Sequence, residues 1–208
     1  MVSKEFKTDL LLGLFIGSLI LANTLGTKIT SIFGVRMSFG IFFVPILFLV
    51  TDIIAEVYGK KKATSFVYIA LIVQVFALIM VYWSIKAFPN PTWGNQEAYA
   101  SVFTATLRMT AASVVAFLIS QLHDVWSFEF WKKKTKGKHL WFRNNASTIV
   151  SQFIDTTIFM FLAFYMVAPK FTVPFIISLI IPYWLFKIAF AAIDTPFCYL
   201  GVRWLRKK

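Results

Sequence analysis

Residues 39–58 read Phe-Gly-Ile-Phe-Phe-Val-Pro-Ile-Leu-Phe-Leu-Val-Thr-Asp-Ile-Ile-Ala-Glu-Val-Tyr and run straight into Gly59-Lys60-Lys61-Lys62. A helix of this length rises about 30 Å, the thickness of a bilayer's hydrocarbon core. The stretch predicts a membrane-spanning helix, in which Pro45 is tolerable. The lysine run marks its exit on the cytoplasmic side. Asp52 and Glu56, four residues apart, put two carboxylates on one face of that helix. A charge at the bilayer centre costs at least ~2.5–3.5 kcal/mol, so such residues face a cavity or a partner.

Five further apolar stretches lie around it, at about 10–25, 63–88, 100–122, 146–167 and 174–202. The chain is 59% hydrophobic and 14% charged, against about 45–50% and about 25% in soluble domains. Its mean hydropathy is +0.74. The expected fold is all-α, with six transmembrane helices in a single integral membrane domain, 1–208. Lys4 and Lys7 before the first apolar run resemble a signal peptide. With no small-x-small site near Ala22-Asn23 and five more spans behind it, the run reads as a retained first helix.

The net charge of +12 does not point to nucleic acid, because of where the cations fall. They collect at Lys4 and Lys7, Lys60 to Lys62, Lys132 to Arg143 and Arg203 to Lys208. Alternate connections hold only Lys28, Arg36, Lys86 and Lys170. That alternation predicts both termini in the cytoplasm of a multi-pass cell-membrane protein. A short outer loop carrying Gly34 and Arg36 follows the first span, and Pro89 to Asn95 form the longest outer loop. His123 to Asn145 reads as the largest inner connection, an amphipathic interfacial segment with Trp126, Phe128, Phe130, Trp131 and Trp141. Pro182 and Pro196 are expected kinks in the sixth helix.

Charges inside the other spans are Arg108, Asp155, Lys187 and Asp194. At about 1.5 Å per residue, Asp52 falls about 20 Å from the outer end of its span, Asp155 about 13 Å from the inner end and Arg108 about 12 Å from the outer surface. Lys187 is near the middle of its helix. Glu56 and Asp194 lie closer to the cytoplasm. Gln152, Asp155 and Phe159 make a stripe of acceptors beside an aromatic ring, suited to a flat, hydrogen-bond-donating ligand. Asn23 could add a donor and an acceptor. The candidate substrate-binding set is Asn23, Asp52, Glu56, Arg108, Gln152, Asp155 and Lys187. The alternative is that the charges pair, Arg108 with Asp155 and Lys187 with Asp52 or Asp194, and merely hold the bundle together.

Gly13-x-x-x-Gly17 offers a small-residue face for packing within the bundle, for a second copy or for an energising membrane subunit. Ser120-Gln121-x-x-Asp124 is echoed by Ser151-Gln152-x-x-Asp155, and Ile154-Asp155-Thr156 by Ile193-Asp194-Thr195. The lone Cys198 makes no disulfide framework or metal site. His123 and His139 are the only histidines, and no zincin, nucleophile-elbow or phosphate-loop motif is present. No enzyme, cofactor or metal is expected.

Ala22-Asn23 with Lys28, Asp52-x-x-x-Glu56-x-Tyr58-Gly59, Arg108, Ser120-Gln121-x-x-Asp124, Leu140 to Asn144 and Ser151-Gln152-x-x-Asp155-Thr156 form an ordered set. In this order and spacing they resemble the queuosine precursor transporter family, over nearly the whole chain. The resemblance implies a fold similar to the S components of energy-coupling-factor transporters and import of a 7-deazaguanine base, preQ0 or preQ1. The N1–H and exocyclic amine of such a base match one carboxylate, with Asp155 and Glu56 the leading candidates. A vitamin-binding S-type subunit, and more distantly a membrane enzyme or scaffold, are the competing expectations.

Overall fold

The computed structural model describes residues 3–32, 35–166, 169 and 171–207. Gly34 of the expected outer loop and Lys170 lie outside the described residues. Six long helices make up the body: α1 (Lys4–Leu25), α2 (Val44–Tyr58), α3 (Lys60–Lys86), α4 (Gln96–Lys134), α5 (Leu140–Phe164) and α6 (Val173–Arg206). All six are long and apolar enough to cross a membrane, the second when the preceding turn of 3-10 helix, Phe39–Phe42, is included. A small antiparallel hairpin, β1 (Ile29–Ile32) and β2 (Val35–Ser38), joins α1 to that turn.

Local sequence chemistry sets the helix ends. Ser3 caps α1, its Oγ accepting from Phe6 N at 3.1 Å. Gly59 at φ 83° turns α2 into α3 in a single residue, a backbone conformation that favours glycine. The end of α4 is a Schellman turn: Gly137 N–H donates to Lys132 O (2.9 Å) and Lys136 N–H to Lys133 O (3.1 Å).

The expected inner connection is therefore mostly helix. Nothing between His123 and Lys134 breaks α4, so it continues unbroken rather than yielding to a separate interfacial helix. The Trp141-Phe142 pair opens α5, with Phe142 edge-on against Trp131 at 5.1 Å. Only residues 135–139 connect the two helices. Pro182 and Pro196 lie inside α6 as expected.

The chain alternates between two ends. The hairpin marks one; the α2–α3 and α4–α5 turns and both termini mark the other, here the basic end. Lys7 Nζ ties α1 to the last turn of α6 through Trp204 O (3.0 Å) and Lys207 O (2.7 Å), a cation on carbonyls at a helix C-terminus. Near this end the interior is apolar: Phe15 packs on Phe66 and Phe117, and Ala55, Ala63 and Ala70 let helices approach closely. A smaller cluster of Met160, Ile176 and Ile180 sits between α5 and α6.

The outside of the bundle carries Leu14, Leu21, Ile72, Phe76, Leu162 and Phe197, all exposed. Many polar side chains are instead inside: Asp52, Ser120, Gln121, Asp124, Ser147, Gln152 and Thr156 are all at least 98% buried. Apolar outside and polar inside is the arrangement of a bundle solvated by lipid around polar chambers.

Candidate functional site

Between the hairpin and mid-bundle lies a cavity of about 620 Å³, open mouth included. Its roof is the α1 end and the 3-10 turn: Ala22, Asn23, Gly26, Ser38, Gly40 and Ile41. Ser38 holds the roof together, donating its N–H to Tyr183 Oη (2.9 Å) and its hydroxyl to Gly26 O (2.6 Å). Gly40 is required here, because a Cβ would stand 2.5 Å from Ala22 O and 3.2 Å from Gly26 Cα.

The floor is charged. Lys187 Nζ donates to Asp155 Oδ2 at 2.8 Å, with their side chains 8% and 18% exposed. Ser120 Oγ donates to Asp155 Oδ1 at 3.2 Å. A carboxylate offers about four acceptor positions, so Asp155 can take further N–H donors from a ligand. Phe159, Tyr183, Met109 and Met160 complete the walls. Rings and soft thioethers at these positions suit a flat aromatic ligand.

A second cavity of about 250 Å³ lies toward the basic end, lined by Asp52, Asn144, Thr148, Gln152, Asp194 and, again, Lys187. Lys187 thus borders both chambers. Asp52 Oδ2, Asn144 Oδ1 and Gln152 Oε1 are buried and make no hydrogen bond. Behind Asp52 stands Asp124, ringed by Ser147, Thr148 and Ser151, none in ordinary hydrogen-bond geometry with its oxygens.

A third polar group is a clamp. Glu56 receives Arg143 Nη1 at 2.7 Å, Arg206 Nη2 at 3.1 Å and Lys132 Nζ at 3.3 Å. These contacts tie α2 to α4, α5 and α6 at the basic end. Arg143, 1% exposed, also donates to Gly137 O (3.2 Å) and lies over the Phe128 ring.

Residues 38–201 match the family described as "Putative vitamin uptake transporter". The chain belongs to this family. It is 28% identical over 193 residues, 90% of this chain and 82% of the relative, to the "Probable queuosine precursor transporter" of Bacillus subtilis (strain 168). It is 28% identical over 135 residues, 65% of this chain and 58% of the relative, to the "Queuosine precursor transporter" of Escherichia coli (strain K12). A Haemophilus influenzae relative, also named "Probable queuosine precursor transporter", is 26% identical over 139 residues, 67% of this chain and 57% of its own. No solved structure matches the chain.

In this member of the vitamin uptake transporter family, the residues singled out by sequence separate into three places. Asn23, Asp155 and Lys187 meet at the cavity under the hairpin, and Asp52, Gln152 and Lys187 at the one toward the basic end. Glu56 and Arg108 line neither. Glu56 is one helical turn beyond Asp52 and is taken up by the clamp. Arg108 projects from the exposed side of α4, away from Asp155, so the expected Arg108–Asp155 pair is replaced by Lys187–Asp155. Tyr183, Thr156, Ser38 and Gly40 were missed. Tyr183 carried a signal, a hydroxyl one turn before Lys187 on the same helix; the roof residues carried none without the hairpin.

Proposed function

We propose that this membrane transporter imports a queuosine precursor, a 7-deazaguanine base such as preQ0 or preQ1. The observation that carries the reading is the Asp155–Lys187 pair on the floor of an aromatic-walled cavity. The guanine-type edge presents a carbonyl acceptor beside two N–H donors. Lys187 takes the carbonyl, Asp155 accepts the N–H groups, and Phe159 and Tyr183 flank the ring. Asn23 and Thr156 complete the polar lining. The hairpin end then faces outward and both termini face the cytoplasm, as the lysine-rich basic end supports. The family's likeness to S components of energy-coupling-factor transporters would extend to this fold.

The test is precursor-dependent restoration of queuosine in tRNA, in cells lacking both their own synthesis and their own importer, with each base supplied singly. Expression of the chain is expected to restore the modification. Absence of restoration with protein in the membrane would reject the reading. Asp155→Asn is expected to abolish restoration while inserting normally, since it removes the ionised acceptor; normal restoration would return Asp155 to a purely structural role.

The family description also supports a vitamin-binding subunit working with an energising partner. Gly13 lies exposed with nothing within 4 Å of a Cβ placed there, so this face is free for a second copy or such a partner. Tight binding of a vitamin and no binding of deazaguanines by purified protein would favour that reading.

A further inference from the structure

We propose that the Asp52–Asp124 pair is a proton site, and that base import is driven by a proton carried on it. The proposal rests on the transport reading above.

Asp52 on α2 and Asp124 on α4 are 1% and 0% exposed. Next to Asp52, Thr51 Oγ1 donates to Gln121 Oε1, one turn before Asp124, at 3.3 Å, so the two carboxyls are neighbours across the α2–α4 contact, yet Asp52 Oδ2 and both Asp124 oxygens have no donor. Ionised carboxylates only accept. Two of them face to face form a hydrogen bond when one carries a proton, and like charges this close and this dry do not both ionise while no cation is drawn up to them.

The surrounding groups offer no substitute. From α2 the nearest charge is Glu56; from α4, His123 bonds Ser151 Oγ at 2.9 Å. Arg143 of α5 is committed to Glu56, and Lys187 of α6 to Asp155. The other α6 groups are Asp194 and the Cys198 thiol. Among the described residues no cation lies within 4 Å of either carboxylate. The pair holds one proton.

Asp52 of the pair also borders a narrow polar pocket toward the basic end. Asp52 lines the inner cavity together with the unbonded acceptors Gln152 Oε1 and Asn144 Oδ1, which are 2% and 3% exposed. Lys187 lines that cavity and the outer one. With the carboxyl pair protonated, Asp155 keeps the ammonium and the two together form the base-reading floor. When the proton leaves, the inner cavity gains a full negative charge and draws Lys187 away from Asp155. The floor comes apart, so the site the base has just left does not take it up again. One proton therefore enters with the base and leaves with it.

The experiment uses the purified full chain in vesicles with labelled preQ0, a neutral base, at zero membrane potential. Two assays run in parallel: exchange of labelled for unlabelled base at equal pH, and accumulation under an inward pH gradient. One proton per base sustains about tenfold accumulation per pH unit. Exchange without accumulation, or accumulation driven by a sodium gradient instead, would overturn the proposal and leave the transport reading standing. Absence of exchange with preQ0 and preQ1 alike would overturn both. Asp124→Asn is expected to exchange base as the native chain does and to accumulate none. Accumulation equal to native would remove this pair as the site. If Asp124→Asn fails to insert, Asp124→Ser, matched to its hydroxyl surroundings, takes its place in both assays.

Discussion

The same five-residue pattern occurs on two neighbouring antiparallel helices, and its two aspartates have come to opposite ends. On α4 it is Ser120-Gln121-x-x-Asp124 and on α5 Ser151-Gln152-x-x-Asp155. Antiparallel packing crosses the copies: Ser120 donates to Asp155, and Ser151 lies against Asp124. Beyond that contact the environments part. Asp155 meets Lys187 of α6 and borders the outer cavity; Asp124 meets Asp52 of α2 and borders nothing open. Local sequence does not distinguish a cavity-facing carboxylate from a sealed one. The third helix does, by supplying a cation to one and a second acid to the other.

The largest effect expected from breaking this contrast is at Lys187. Lys187→Met leaves the mostly buried Asp155 without its cation, at a cost of about 3–5 kcal/mol. Thermal unfolding of the detergent-solubilised protein reads that loss, and uptake disappears with it. Lys187→Met combined with Asp155→Asn removes both charges, so stability returns while uptake does not. A single variant as stable as the native chain would mean that the pair contributes no more than a surface contact.

A smaller effect separates the two chambers. Gly40→Ala forces the roof apart, because the added methyl meets backbone rather than a flexible side chain. Overpacking of this kind costs about 1–3 kcal/mol. The change touches only the outer cavity, so the KM for the base rises while the amount of inserted protein holds. Gly13→Ala, with open space around it, is the matched control and leaves both unchanged. Equal effects of the two substitutions would show that the roof is not part of the binding surface.

Most of the helical architecture was legible, because spanning length and apolar content are properties of a linear string. Position along each helix was legible for the same reason. Rotation about each helix axis and the order of neighbours were not. Arg108 and Asp155 read as possible partners by depth, but Arg108 turns out of the bundle and Lys187 takes its place. Asp52 and Glu56 do share a face, yet one turn of rise, about 5.4 Å, is enough to put one in a chamber and the other in a three-cation clamp. The reach of α4 past His123 was obscured by charge, though no Pro or Gly interrupts it before Gly137. The hairpin was invisible because its strands, Ile29–Ile32 and Val35–Ser38, are too short to display a period. The recurring Ser-Gln-x-x-Asp pattern was visible, but its meaning needed the antiparallel contact between α4 and α5.

That contact can itself be tested with the smallest perturbation. Ser120→Ala removes a hydroxyl shared between Asp155 Oδ1 (3.2 Å) and Phe117 O (3.3 Å). A hydrogen bond of this sort is worth about 1 kcal/mol net, or about fivefold in affinity. Base binding to purified protein is therefore expected to weaken about fivefold. Ser151→Ala, the same change in the other copy, takes its hydroxyl from Ser147 O (2.8 Å) and His123 Nδ1 (2.9 Å). Neither partner lines the outer cavity, so base affinity is expected to stay at the native value. Equal losses from both serines would mean that the two copies act on the ligand alike, and the asymmetry set by α2 and α6 would then have no bearing on recognition.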